Sequence, residues 1–214
     1  FSLLTAPAIL ALSLWIAVTV YPLGRMWQTF FRFAFYLPTV ASGVVLTIVW
    51  VWLYSPVYSP LSALIGGPVL RLSSSRAPQP ALAVEVVARG IREPVILFLA
   101  ALQDQPQELY DAALVDGASV ADTFRHITLP LLRPVIFFIL LTRTAGGLQV
   151  FIVVRLLTRG GPAYATETIV SYLYRAAFEF HNFGYAAAMA VILVIFTGLI
   201  AAAQSRWLGR GDTV

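Results

Sequence analysis

Glu85, Arg89 and Glu93 recur at i, i+4 and i+8 inside a stretch that is otherwise apolar, and Arg92 lies among them. That spacing puts the three on roughly one face of a helix, where they can pair. Arg143 stands about eight residues into another apolar stretch, roughly 12 Å at helical rise. Ionisable groups at bilayer depth are costly, and they face protein or water rather than lipid. Two chemistries fit such groups: a self-neutralised structural strip, or the polar wall of a solute path. Arg143 either meets an anionic solute such as a phosphorylated polyol or pairs with Glu85 or Glu93, and pairing is the simpler reading.

What is missing narrows the chemistry further. The chain has no Cys and no Lys; all 14 of its basic residues are Arg. Thiolate nucleophiles, disulfides and Cys-ligated zinc are excluded. So are a Schiff-base lysine and the lysine of a phosphate-binding loop. The two histidines, His126 and His181, are too few and too far apart to suggest a metal site. No catalytic cluster is expected, and any use of ATP falls to a partner chain. The net charge of +4 comes without a basic run interleaved with aromatics, so nucleic acid is not an expected partner.

The most informative stretch runs from Glu108 to Pro130. It reads as two short helices around a hinge. Pro106 and Glu108 suit the first turn of the first helix. Asp116-Gly117 ends it, with Gly able to take the left-handed cap. Ser119 then starts the second helix, and Asp122, three residues on, completes a capping-box-like start. Small Ala112 and Ala113 let another surface come close, and Pro130 stops the unit. From spacing alone, an amphipathic interfacial loop is the plain alternative.

The elements that carry these residues follow from composition. Of 214 residues, 59% are hydrophobic and only 11% charged, with mean hydropathy +0.83. Soluble domains run nearer 45–50% apolar and about 25% charged. The chain therefore reads as an integral membrane protein. A transmembrane helix needs about 20 mostly apolar residues. Residues 1–20, 33–54, 81–102, 135–157 and 184–203 qualify, with 169–183 amphipathic and aromatic, and 55–80, 104–130 and 159–168 as loops. The first stretch lacks the marks of a cleaved signal, so a retained span is expected. Placing the loop 104–130 in the cytoplasm puts Arg206 and Arg210 inside as well, as the positive-inside rule requires. The twelve residues 21–32 cannot then cross a bilayer, so either the N-terminus starts outside or a span and loop are absent between about 22 and 30.

Asp111-Ala112-Ala113, then Gly117, then Ile127-Thr128-Leu129-Pro130 match the spacing of a loop motif, E-A-A, three residues, G, nine residues, I-x-L-P. On these residues the chain resembles the inner-membrane permease subunits of binding-protein-dependent ABC importers. Asp at 111 for Glu is the one departure, and it keeps the charge. Residues 30–38 (FFRFAFYLP) and 157–162 (LTRGGP), with Thr166-Glu167-Thr168 and Tyr172-Leu173-Tyr174, are similar to the carbohydrate-type permeases. Departures are the absent piece near 22–30, the charged Arg89–Pro94 stretch, and Ile152 and Arg155.

The resemblance implies an all-α polytopic transmembrane bundle of the type I ABC importer permease kind, one permease domain over 1–214 with a cytoplasmic coupling-helix loop at 104–130. It implies half of a translocation path for a sugar or related polyol, in a bacterial inner membrane. The implied partners are a second, related permease, a dimer of cytoplasmic ATPase subunits holding the ATP and Mg, and an extracytoplasmic solute-binding protein, within a lipid bilayer. Coupling to the ATPase would fall to Glu108, Asp111, Ala112, Ala113, Asp116, Gly117, Ile127, Leu129 and Pro130. Trp50, Arg143, Gln149, Phe151 and Tyr172 are the candidates for the solute path, the aromatics by stacking on sugar faces, with plain packing as the alternative. A secondary carrier or channel would need no coupling loop. A membrane-embedded enzyme would need the catalytic cluster that the sequence lacks.

Overall fold

A computed structural model describes residues 2–55 and 78–208. Most of the expected loop 55–80, and Arg210, lie outside the described residues. Among those described, the chain is all-α. In chain order the helices are α1 (Ser2–Val20), α2 (Arg25–Val40), α3 (Gly43–Leu53), α4 (Pro78–Gly90), α5 (Arg92–Gln103), α6 (Gln107–Val115) and α7 (Val120–Thr123). A π-helical turn, Phe124–Thr128, leads into α8 (Leu129–Leu131), then α9 (Arg133–Leu148), α10 (Ile152–Leu157), α11 (Ile169–Phe178) and α12 (Phe183–Leu208).

Three of the expected straight spans are interrupted. Residues 33–54 are not one helix, because α2 and α3 meet at a bend of 97°. Ala41 takes an extended conformation, and Ser42 restarts the helix, its hydroxyl accepting from the Val44 N–H at 3.3 Å. Pro38 weakens the end of α2 by removing a donor. The span 81–102 changes helix at Ile91, where Pro94 has no N–H to offer the carbonyl of Gly90. The span 135–157 ends at Leu148, after the Gly146-Gly147 pair, and a short α10 follows. The expected connection 21–32 is helical from Arg25 onward. Its turn is closed by Gln28 Nε2, which donates to the carbonyls of Tyr21 at 2.7 Å and Leu23 at 2.9 Å.

Only α12 is by itself long and apolar enough to cross a membrane among the described residues; two bent pairs join it if each counts as one span. One core lies between α1, α5 and α9, where Val20, Val95, Phe98, Leu99, Leu132 and Ile139 are buried. A second joins α3, α4 and α10 through Tyr54, Leu82, Val86, Val153 and Val154. Burial of each such side chain contributes about 1.5–3 kcal/mol. Gly90 allows α1 to press on α4: a Cβ there would stand 2.5 Å from Ile9 Cδ1. The two cores clamp the broken ends of α2–α3, α4–α5 and α9–α10 around a common space.

Candidate functional site

The loop 104–130 is built as a rigid, self-capped unit. α6 begins after Pro106, with Glu108 in its first turn. Its C-terminus is a Schellman cap: the Ala118 N–H reaches the Ala113 carbonyl at 2.9 Å, and the Gly117 N–H reaches Leu114 at 3.1 Å. Gly117 supplies the left-handed residue this requires, at φ +73°. Ser119 caps α7 by accepting from the Asp122 N–H at 3.2 Å, and its hydroxyl donates to the Asp122 carboxylate. Ser119 donates to that carboxylate from its hydroxyl and from its backbone N–H, and these hold the Asp122 carboxyl below its ordinary value of 3.8.

Tyr110 ties the two ends of the loop together. Its hydroxyl donates to Gln105 Oε1, so the Thr128 hydroxyl must donate to Tyr110, at 3.0 Å. Gln105 Nε2 also reaches the Thr128 carbonyl at 3.5 Å. The anchor lands on the π-helical turn that holds Ile127 and runs directly into Leu129-Pro130. Asp111, Ala112, Asp116 and Gly117 are exposed, and Ala113 is buried. Beside them, Leu114, Val115 and Val120 are 77%, 87% and 89% exposed. These three leave bare apolar side chains at the tip of a capped loop.

The second feature is a cavity of about 380 Å³ at the helix breaks. Arg89 and Arg92 reach it from the α4–α5 junction, Arg143 and Thr142 from α9, and Thr39 from the end of α2. Arg143 pairs with Glu93 across the cavity wall. The expected Glu85–Arg89–Glu93 strip is therefore only half formed. Arg89 lies 4.0 Å from Glu85, while Glu93 turns to Arg143. Glu85 is fully buried and accepts from the Thr47 hydroxyl at 3.3 Å. Arg89 also packs on the break itself, since a Cβ at Gly43 would be 3.0 Å from its Nη1.

Of the residues read as a solute path, Arg143 lines this cavity and the others are placed elsewhere. Trp50 packs on Tyr54, ring centres 5.5 Å apart, against the second core. Gln149 is exposed at the end of α9. Phe151 stacks on Tyr174 at 5.0 Å. Tyr172 meets Tyr185 edge-on and lies under the Arg175 guanidinium. Arg155 pairs with Glu179 at 2.7 Å, away from the cavity. Arg89, Arg92 and Thr142 were not among the path candidates, although the first two stood out as charges in an apolar span. Leu114, Val115 and Val120 carried no signal, because an exposed apolar residue is legible only once its neighbours are placed.

The fold agrees with known transporters. A bacterial ABC transporter that imports the acidic polysaccharide alginate matches with a TM-score of 0.83 at 24% identity, over 99% of this chain and 74% of that one. At that identity the match speaks for the fold, the type I importer permease fold. The multiple sugar-binding transport system permease protein MsmF of Streptococcus mutans is 32% identical over 180 residues, 83% of this chain and 62% of its own length. The sn-glycerol-3-phosphate transport system permease protein UgpA of Agrobacterium fabrum is 31% identical over 214 residues, 98% of this chain and 73% of its own. The chain thus spans about three fifths to three quarters of the length of these relatives. Residues 9–211 match the family model described as binding-protein-dependent transport system inner membrane component, and the chain belongs to that family.

Proposed function

We propose that the chain is the permease subunit of an ATP-driven importer, contributing half of the path for a sugar or related polyol across a bacterial inner membrane, which it crosses several times. The observation that carries this reading is the capped loop 104–130 with its bare Leu114, Val115 and Val120. A carrier or channel working alone has no use for such a surface. The relatives' names support transport of saccharides and polyols.

In this reading the chain performs no hydrolysis itself. A pair of ATPase subunits holds ATP and Mg, and their closure pushes on α6. Asp111, Ala112 and Gly117 meet the ATPase, with buried Ala113 behind them and Glu108 and Asp116 bounding the helix. The Tyr110–Thr128 link passes the displacement through Ile127, Leu129 and Pro130 into α9, which carries Arg143. A second, related permease completes the path, and a solute-binding protein delivers to it from outside. The test is purification of the tagged chain from membranes of cells that express its transport partners. An ATPase that co-purifies and is stimulated by solute-loaded binding protein is the expected result. A chain that purifies alone, and moves solute without ATP, overturns the reading in favour of a carrier.

A further inference from the structure

The cavity at the helix breaks holds more guanidinium than its carboxylates balance. Arg89, Arg92 and Arg143 line it, and Glu93 and the buried Glu85 oppose them. Three guanidiniums against two carboxylates leave one net positive charge. Glu93 is occupied by Arg143, and Glu85 sits beneath Arg89 and shares an oxygen with Thr47. Arg92 is the unbalanced one. Its Nε donates to the Arg89 carbonyl at 2.9 Å, whereas its Nη1 is shut off from solvent and has no hydrogen-bond partner. Arg143 Nε is in the same condition. Buried donors left unpaired are costly, and an anion is the group that satisfies them best.

The hydroxyls on the wall complete the picture. Thr142 spends its proton on the carbonyls of Phe138 and Ile139, and Thr39 spends its proton on Tyr36. Their oxygens are left as acceptors for a solute's own hydroxyls. A volume of about 380 Å³ is of the size of small-molecule sites.

We propose that this cavity is a subsite for the anionic group of a hydroxylated solute, a carboxylate, phosphate ester or sulfate ester on a saccharide or polyol. The path then discriminates acidic solutes from neutral ones. Guanidinium suits this task because its planar fork takes such oxygens two at a time and keeps its charge when dehydrated. The proposal rests on the permease reading for the identity of the solute as transported cargo, and on the cavity alone for its charge.

The test uses the purified transporter at constant ionic strength, with thermal stability measured against rising glucuronate, glucose 6-phosphate and glucose. The two charged sugars raise the unfolding midpoint and glucose does not. Arg92→Gln and Arg143→Gln weaken the apparent affinity by about tenfold or more, the scale of one hydrogen bond to a charged group. Glu93→Gln strengthens it several-fold, and Arg155→Gln leaves it unchanged. Equal protection by glucose, or an unchanged affinity in Arg92→Gln, overturns the proposal. Should Arg92→Gln fail to fold, Glu93→Gln decides: no gain in affinity overturns it. The two readings fail separately. An ATPase that co-purifies while only glucose protects sinks the anion subsite and keeps the permease. Anions that protect a chain with no ATPase partner do the reverse.

Discussion

Replacing Gly117 separates the shape of the coupling loop from its docking. The residue sits at φ +73°, and a Cβ added there would meet nothing within 4 Å. The penalty for a side chain is therefore conformational only, about 1–2 kcal/mol for a residue forced into the left-handed region. Asn tolerates that region better than most. Ala and Trp are both unbranched at Cβ, so they face the same backbone penalty, about a five- to thirtyfold shift in the capped population of α6. They differ only in what they present to a partner. The expected order in solute-stimulated ATP hydrolysis by the assembled transporter is wild type, then Asn, then Ala, with Trp near the basal rate. All four should insert into membranes equally. Ala and Trp that behave alike would mean that Gly117 matters only for its cap, and the proposal that this position meets the ATPase would be refuted.

Gly90→Ala drives a Cβ to 2.5 Å from Ile9 Cδ1, an overpacking that costs about 1–3 kcal/mol. Pairing it with Ile9→Ala removes the obstructing atoms, so the double variant should be more stable to heat than the two single losses sum to; simple additivity would deny that the helices touch there. Asp122 has a carboxyl held below its ordinary value of 3.8. Its support of α7 is therefore full above that value and fades as pH falls through the lower folded-state value. The protection factors of the Asp122 and Thr123 amides, corrected for the intrinsic pH dependence of exchange, should fall on acidification below about pH 3.8, and Asp122→Asn should show low protection at every pH. A wild type whose exchange protection survives acid would show that the Ser119–Asp122 pair is not what orders the turn.

Local signals were legible where short-range chemistry decides the structure. Gly117, Ser119 and Asp122 announced the two caps because those roles belong to residue types. The all-apolar run that became α12 announced itself by length. The breaks were harder to see. Residues 33–54 and 135–157 are mostly apolar, and hydropathy is blind to direction, so a bend of 97° between α2 and α3 leaves the composition untouched. Ser42 and the Gly146-Gly147 pair mark those breaks in hindsight. Arg143 was correctly seen as a pairing residue with Glu85 or Glu93 in reach. The gathering of Arg89, Arg92 and Thr142 around it was not legible, because it depends on how α4, α5 and α9 cross. The aromatics Trp50, Phe151 and Tyr172 met other rings, since flat side chains satisfy one another as readily as they satisfy a sugar.

The last helix has a dimension that matters to the whole subunit. Its apolar part, Phe183–Arg206, is 24 residues, about 36 Å at helical rise. A hydrocarbon layer is about 30 Å thick, so the helix is long enough to span it with some tilt. Gln204 on this leaning rod donates to Thr144 at 3.0 Å, one residue from Arg143. A thicker membrane is matched by less tilt and a thinner one by more, and the Gln204–Thr144 bond ties that adjustment to α9 beside the cavity.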